Sequence, residues 1–402
     1  MIDALETRTA ATSPDLYAAR HAEFKAFVAR HVEPCAEQWD RDERIPESVL
    51  GMMAKRGYLG CSLPGDVGGQ GWDVVTFGML NEAFGRGSSA LTGVLTVQAM
   101  VSMTLLKWGT ADQKRAWLPR LASGERIGAF ALTEPGGGSD LHSLVTRFSE
   151  SSDGMILNGS KKWISCAQFA TVFLVFGNLG KRSVACIVPR ESPGLHVEPI
   201  TDLLGFRAAG LAQLHFEDVQ VPTANVVGKP GFALSHVAPV GLHFGRISTA
   251  CSALGLLRGC YEESIAHASR RKVGDTTVGD LGMIRSLIAR IGTDLQAGRL
   301  LCDNACRAED EHVPEAFERA LVAKYFTSRA VVRAASDAVQ IRGAAGCHGS
   351  SAVSRYYRDA KIMEIIEGTT QIHEDILGKM FVDQAGRLGP ELDSALDSGE
   401  HT

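Results

Sequence analysis

Several features that would place this chain in a membrane, outside the cell or on nucleic acid are missing from its 402 residues. The N-terminal segment, MIDALETRTAATSPDL, has neither the basic start nor the apolar run of a signal peptide. No uninterrupted apolar run approaches membrane-spanning length. Lys and Arg form no dense block, and the formal net charge is only -5. We therefore expect a cytoplasmic protein without a membrane or nucleic-acid partner.

Signals for metal ions and nucleotide cofactors are also scarce. The nine cysteines are an odd number and include no CxxC pair, so the sequence predicts neither a disulfide framework nor a metal site. The run GAAGCHG, at 343–349, does not have the GxGxxG spacing, and no GxxxxGK phosphate loop followed by Ser or Thr is present. We expect reduced thiols in mostly packed positions and no tightly held NAD.

The hydrophobic periodicity changes twice along the chain. Apolar residues fall at helical spacing in the first third, β-branched runs such as 171–176 and 184–188 dominate the middle, and helical spacing then returns. This order predicts an α+β fold and excludes a Rossmann unit, in which strands and helices alternate. We predict an all-α domain over 1–123, an antiparallel β domain over 124–237, a helical domain over 238–388, and a flexible tail over 389–402.

Two segments of the β domain combine turn residues with groups that bind ligands. ALTEPGGGSD, at 131–140, packs hydroxyls, carboxylates and three glycines into one loop. In LNGSKKWIS, at 157–165, the Asn-Gly pair predicts a hairpin turn, after which Trp163 and Ser165 share one face of a strand. An aromatic ring beside a hydroxyl suits a flat, heteroatom-edged ring such as a flavin. A plain turn and a core tryptophan remain the alternatives.

The segment KIMEIIEGTTQIHEDIL, at 361–377, places a carboxylate in an unexpected position. Glu367 stands between the apolar pair Ile365-Ile366 and the turn-forming residues that begin at Gly368. Apolar neighbours raise the pKa of a carboxylate toward the range in which it acts as a general base. The alternative is an ordinary solvated glutamate at a helix end.

Seven motifs, in order along the chain, resemble those of the acyl-CoA dehydrogenases. They are GTADQKRAWLPRLASGE, LTEPGGGSD, LNGSKKWIS, LLGFRAAGLAQLHFEDVQVP, Arg246 opening a helix, AVQIRGAAG, and RDAKIMEIIEGTTQI. The resemblance implies an N-terminal helical domain, a middle β-barrel domain and a C-terminal four-helix bundle, with FAD held between them. It also implies a homo-oligomer, a dimer or a tetramer, and an electron-transferring flavoprotein as acceptor.

The resemblance also assigns roles to individual residues. It implies that Glu367 is the catalytic base and that Ser139, His243, Arg246 and Gly368 lie beside the substrate. It implies cofactor contacts for a larger set, in which Arg270 meets the FAD of a neighbouring subunit: Thr133, Ser139, Trp163, Ser165, Arg270, Gln340, Gly343, Gly346, Thr369 and Gln371.

Further phrases, including AKYFTS at 323–328, resemble a branch of the family that acts on acyl groups of polyketide pathways carried by an acyl carrier protein. His243 stands where relatives that use CoA often have aspartate. We therefore predict a dehydrogenase of short acyl thioesters, such as an extender-unit precursor on an acyl carrier protein. The alternatives are a free CoA thioester as substrate, a flavin-dependent monooxygenase, or a binding scaffold without catalysis. The small and medium side chains at 92–102 and 243–250 permit a short acyl group.

Overall fold

The computed structural model describes residues 13–383. The predicted tail over 389–402 and the last residues of the predicted third domain lie outside this range. Within it, a helical part, a sheet and a second helical part follow one another, as the sequence predicts.

Six helices form the N-terminal part, and side-chain caps begin several of them. The Ser13 hydroxyl accepts from a backbone N–H of the first turn, and Thr110 forms a capping box with Gln113. The helices are α1 (Pro14–His31), α2 (Glu33–Asp42), α3 (Glu47–Lys55), α4 (Val74–Gly87), α5 (Ser89–Trp108) and α6 (Ala111–Ala122).

The middle part is one eight-stranded sheet with an apolar core of its own. Its strand order is β6-β7-β3-β2-β4-β5-β8, and β1 pairs with β4. The strands are β1 (Gly128–Ala131), β2 (Arg147–Ser151), β3 (Gly154–Ile164), β4 (Val172–Leu179), β5 (Arg182–Pro189), β6 (Leu195–Pro199), β7 (Ala212–Pro222) and β8 (Val226–Val227).

Two details of the predicted sheet are wrong. The sheet is mixed, because β4 runs parallel to both β1 and β2. The segment at 165–171 connects the end of β3 to the start of β4. Asn158 and Gly159 do not form the hairpin turn; they lie inside β3, where the register with β7 shifts. The turn between β2 and β3 is instead at Ser152-Asp153, and Gly159, with φ of 138°, accommodates the irregularity.

Five helices form the C-terminal part, and a small hairpin joins the first two. The elements are α7 (Ala238–Ala268), β9 (Lys272–Val273), β10 (Thr276–Thr277), α8 (Gly282–Asp310), α9 (Ala316–Arg342), α10 (Ala352–Met363) and α11 (Thr370–Asp383). A single π-helical turn, Ala233–Val237, leads directly into α7.

Helix α7 is central, because it packs against α4, α5, α8 and α9. The stretches Ser89–Trp108 and Ala233–Ala268 are long and apolar enough to cross a membrane by length and composition. However, 94% and 83% of their most apolar windows are buried inside the fold, which accounts for that composition. Seven of the nine free cysteines are buried, as the sequence predicts.

The backbones of α4 and α7 cross at direct contact. A Cβ atom on Gly255 would lie 2.0 Å from the Glu82 carbonyl oxygen, and one on Gly85 would lie 2.2 Å from the carbonyl oxygen of Ser252. Next to the crossing, the buried Glu82 carboxylate pairs with Arg258 on α7 and Arg299 on α8. The crossing therefore fixes the position of α7 relative to α4. Side chains of α7 form part of the cavity described below.

We expect Gly255→Ala to destabilise the protein by about 1–3 kcal/mol, the usual cost of overpacking, because the added methyl group forces α4 and α7 apart. Gly51→Ala is the control, since a Cβ atom on Gly51 in α3 meets nothing within 4 Å. That change should instead stabilise the helix by up to about 1 kcal/mol. Urea denaturation of both variants measures the two effects, and equal midpoints would contradict the close crossing.

Candidate active site

A cavity of about 380 Å³ lies between the sheet and the two helical parts. Its sheet side consists of the segment that follows β1 and the end of β3. Its helical side consists of α5, α7 and the segment between α10 and α11. The lining residues that bear on the argument are Thr92, Thr96, Thr133, Ser139, Trp163, Ser165, Arg246, Thr249, Ser252, Glu367, Gly368 and Thr369.

Glu367 lies in the turn between α10 and α11 with a positive φ of 55°, an uncommon conformation for a residue with a Cβ atom. Its carboxylate oxygen Oε2 is buried and has no hydrogen-bond partner in the described chain. Burial raises the pKa of Glu367 to about 7. Gly245 makes room for this carboxylate, because a Cβ atom there would lie 2.3 Å from Oε2. Gly245 has no signal of its own in the sequence.

Two buried cations flank this carboxylate. Lys324 of α9 is inaccessible to solvent, and its Nζ donates to the Gly368 carbonyl oxygen at 2.7 Å. Burial lowers the pKa of Lys324 to about 8, against the opposing effect of Glu367. Burial also lowers the pKa of Arg246, whose Nε has no partner among the described residues. Both positive charges favour the ionised form of Glu367, but desolvation outweighs them.

Glu364 has a different environment, although it is only three residues from Glu367. It caps the end of α10 and binds the ammonium group of Lys361 at 2.6 Å. It does not line the cavity. The two neighbouring glutamates are therefore separated into a surface ion pair and an unpaired carboxylate at the cavity.

A buried ion pair holds the loop on the sheet side. Nζ of Lys161 in β3 donates to Glu134 at 2.8 Å and to the Leu132 carbonyl oxygen at 2.9 Å. Glu134 also accepts from the backbone N–H groups of Val145 and Thr146, at 2.7 and 2.9 Å. One carboxylate thus connects both ends of the glycine-rich loop to β3. No sequence pattern predicts this pair, because its members are 27 positions apart.

The expected strand alternation at Trp163 and Ser165 is wrong, because Trp163 has φ of 61° and β3 ends at Ile164. Both residues nevertheless line the cavity, together with Thr133 and Ser139 of the glycine-rich loop. The Trp163 side chain is half exposed, which rules out the core tryptophan that was the alternative. An accessible aromatic face beside three hydroxyls fits a flavin ring, so these residues are suited to hold the FAD that the motifs imply.

Several predicted contacts lie away from the cavity. Arg270, Gln340 and Gly343 are exposed where α7 and α9 end, near the Arg342–Glu263 ion pair. Gly346 is buried in the turn after α9, and Gln371 is exposed at the start of α11. Their FAD contacts, of which the resemblance assigns that of Arg270 to a neighbouring subunit, stay predictions.

His243 also lies outside the cavity lining. Its Nε2 is 2.7 Å from an oxygen of Glu309 on α8, and its ring stacks on Phe317. The described chain gives this imidazole a structural partner, and its predicted contact with substrate stays a prediction.

Comparison with known proteins agrees with this geometry. Three family models match successive parts of the chain: the acyl-CoA dehydrogenase N-terminal domain over 18–125, the middle domain over 129–219 and the C-terminal domain over 235–381. The glutaryl-CoA dehydrogenase of Desulfococcus multivorans is 32% identical over 90% of this chain and 95% of its own length.

Two solved structures share the fold. The glutaryl-CoA dehydrogenase of Mycobacterium smegmatis in complex with FADH2 has a TM-score of 0.87 at 26% identity, over 92% of this chain and 95% of that one. FkbI, described as acting in biosynthesis of the methoxymalonyl extender unit of Fk520, has a TM-score of 0.82 at 30% identity. The match covers 90% of this chain and 99% of FkbI. The chain therefore belongs to the acyl-CoA dehydrogenases, FAD-dependent oxidoreductases that act on the CH–CH group of acyl thioesters.

Proposed function

We propose that this protein dehydrogenates short acyl thioesters, with Glu367 as the base that removes the α proton. The observation that carries the proposal is the isolated Oε2 atom of Glu367 at the cavity, in a carboxyl group with a pKa of about 7. A base with a pKa near the working pH combines a useful ionised fraction with proton affinity.

The residues around Glu367 have complementary tasks. The backbone bend at Glu367 and Gly368 presents the carboxylate to the cavity, and Lys324 fixes that bend through the Gly368 carbonyl. Arg246 and Lys324 keep the carboxylate ionisable although it is desolvated. Bound FAD would supply the acceptor for the hydride that leaves the β carbon. Trp163 and Ser165 are placed to orient its ring, and the resemblance implies that the Glu367 N–H binds the enolate oxygen.

Two other functions fit these residues less well. A flavin-dependent monooxygenase on this fold typically lacks the carboxylate, whereas Glu367 is present and accommodated by Gly245. A scaffold without catalysis would have no need to bury an unpaired carboxylate beside two cations, an arrangement that lowers stability. Neither alternative accounts for the cost of this cluster.

For the carrier of the acyl group we propose an acyl carrier protein, with CoA as the alternative. The similarity to FkbI supports this choice, because that protein is described in terms of an extender unit. The His243–Glu309 pair adds support, since a histidine occupies a position where CoA-using relatives often have an acidic residue. We further propose an electron-transferring flavoprotein as acceptor, a cytoplasmic location, and a homo-oligomer in which exposed Arg270 meets a neighbouring FAD.

We expect Glu367→Gln to retain FAD and fold normally while flavin reduction by substrate slows by at least about 100-fold, the low end for losing a positioned general base. Anaerobic rapid mixing with detection of the flavin band gives the rate. Glu364→Gln is the matched control, because Glu364 pairs with Lys361 away from the cavity. If flavin reduction slowed in Glu364→Gln and kept its wild-type rate in Glu367→Gln, the assignment of the base would be wrong.

The pH dependence tests the cations. We expect kcat/KM to rise with pH through an acid limb near 7, because Glu367 must lose its proton to act. Lys324→Gln keeps a donor for the Gly368 carbonyl but removes a charge that favours the carboxylate, so the limb should move to higher pH. Lys324→Arg preserves the charge and should move the limb less. A limb at the same pH in wild type and Lys324→Gln would exclude this electrostatic role.

The carrier is tested by presenting one short acyl group on a cognate acyl carrier protein and on CoA. We expect the larger kcat/KM with the carrier protein, since specificity is the ratio of these constants. Flavin reduction with saturating electron acceptor measures both. An equal or larger constant for the CoA ester would favour the alternative and leave the role of Glu367 intact.

A further inference from the structure

The helical side of the cavity is unusually rich in hydroxyl groups. On α7, residues 246, 249 and 252 follow one another at three-residue intervals, which aligns Arg246, Thr249 and Ser252 along one face. On α5, Thr92 and Thr96 are four residues apart and form a similar pair. All five line the cavity. We call Thr92, Thr96, Thr249 and Ser252 the hydroxyl wall.

The two hydroxyls on α5 are already engaged. Thr92 Oγ1 donates to the Ser89 carbonyl at 2.7 Å, and Thr96 Oγ1 donates to the Thr92 carbonyl at 2.9 Å. Thr96 Oγ1 also lies 2.6 Å from the Ser248 hydroxyl, which in turn donates to Asn81 at 2.7 Å. This network holds the α5 half of the wall in place, while leaving acceptor capacity on its oxygens.

The two hydroxyls on α7 are different. Thr249 Oγ1 and Ser252 Oγ are buried, and neither has a hydrogen-bond partner in the described chain. Each residue exposes only 1% of its surface, and both are part of the cavity lining. Buried hydroxyls without partners are costly and uncommon, so a donor or acceptor in the cavity is the expected partner.

Position along α7 indicates which part of the substrate meets them. Gly245 and Arg246 adjoin the Glu367 carboxylate, where the thioester's α carbon has to lie. With a rise of about 1.5 Å per residue, Thr249 lies about 5 Å and Ser252 about 9 Å further along the axis. A hydrogen bond spans about 2.8 Å of each offset, so a hydroxyl oxygen carried by the γ or δ carbon of an extended acyl chain, three or four bonds from the α carbon, comes within reach of this pair. A purely hydrocarbon chain would leave both hydroxyls unsatisfied.

We propose that the acyl group of the substrate carries a hydroxyl at or just beyond its γ carbon, bound by Thr249 and Ser252. The inference rests on the proposed function, because it takes Glu367 to mark the α carbon. It narrows the substrate class from short acyl thioesters to short hydroxylated ones. The reaction is unchanged: the α proton passes to Glu367, the hydride leaves the β carbon, and the hydroxyl takes no part.

The test uses two acyl groups of the same shape on the same carrier. A 4-hydroxybutyryl thioester and a pentanoyl thioester differ only by a hydroxyl in place of a methyl group, and 5-hydroxypentanoyl and hexanoyl form a longer pair. We expect wild type to prefer one hydroxylated member by at least about 10-fold in kcat/KM, because a site built for a hydroxyl rejects the analogue that lacks it.

Variants connect this preference to the wall. Thr249→Val and Ser252→Ala remove the hydroxyls with little change of shape, and together they should abolish or reverse the preference, mainly through a higher KM for the hydroxylated substrate. The FAD content should be unchanged. Thr104→Val is the control, because Thr104 on α5 also has a buried hydroxyl without a partner but does not line the cavity.

The outcomes distinguish failure of the hydroxyl-binding inference from failure of the proposed dehydrogenase function. If pentanoyl and hexanoyl groups are used as well as their hydroxylated partners, or if the double variant keeps the wild-type preference, the hydroxyls bind only water and the inference is overturned. Loss of FAD from the double variant would overturn it too, by assigning these hydroxyls to the cofactor. In those cases rapid flavin reduction still supports the dehydrogenase. If no acyl thioester of either kind reduces the flavin, the proposed function itself fails.

Discussion

The site depends on the burial of one carboxylate that has an oxygen without a hydrogen-bond partner among residues 13–383. Folding places Glu367 Oε2 where water cannot reach it, and the resulting loss of solvation raises the pKa of the side chain to about 7. Desolvation of this kind is unfavourable, and it persists only when surrounding structure holds the group in place. The missing Cβ atom of Gly245 and the Lys324–Gly368 hydrogen bond provide that hold from α7 and α9.

On the sheet side of the cavity, a second buried carboxylate has hydrogen-bond partners. Glu134 directly follows Thr133, which lines the cavity. Its carboxylate accepts hydrogen bonds from Lys161 and from two backbone N–H groups. These bonds lower its pKa even though burial acts to raise it. The carboxylate of Glu134 is satisfied and fixes a loop, whereas that of Glu367 has an oxygen without a partner among the described residues, as the proposed role of proton acceptor requires. The contrast separates the structural acid from the reactive one without reference to any relative.

The sequence predicts the order of the three parts, and its motifs indicate Glu367 as the base, an assignment that stays a prediction. Helical and strand periodicity are local signals, and the apolar neighbours of Glu367 are adjacent in the chain. The residues that were missed act over long separations: Lys324 is 44 positions from Gly368, and Lys161 is 27 from Glu134. The sequence does not indicate Gly245, because this residue acts through its lack of a Cβ atom, which leaves space for the Glu367 carboxylate. The hairpin turn predicted at Asn158-Gly159 is wrong for a related reason. Pairing with β7, which is distant in sequence, places these two residues at an irregularity inside β3.

The side chains that we propose to bind the acyl group lie on the same helix as the glycine that makes room for Glu367. The α7 backbone is fixed by direct contact with α4 at Gly85 and Gly255, and Gly255 lies about three turns beyond Gly245, which makes room for Glu367. Side chains between these points, at Thr249 and Ser252, project into the cavity from a backbone that cannot easily shift. If these side chains bind the acyl group as we propose, exchanging a hydroxyl for a methyl group changes what the cavity binds without moving the helix crossing. At Gly245 and Gly255, on either side of this stretch, a Cβ atom would lie 2.3 Å and 2.0 Å from the nearest atom, so neither glycine accepts a side chain without displacing its neighbours.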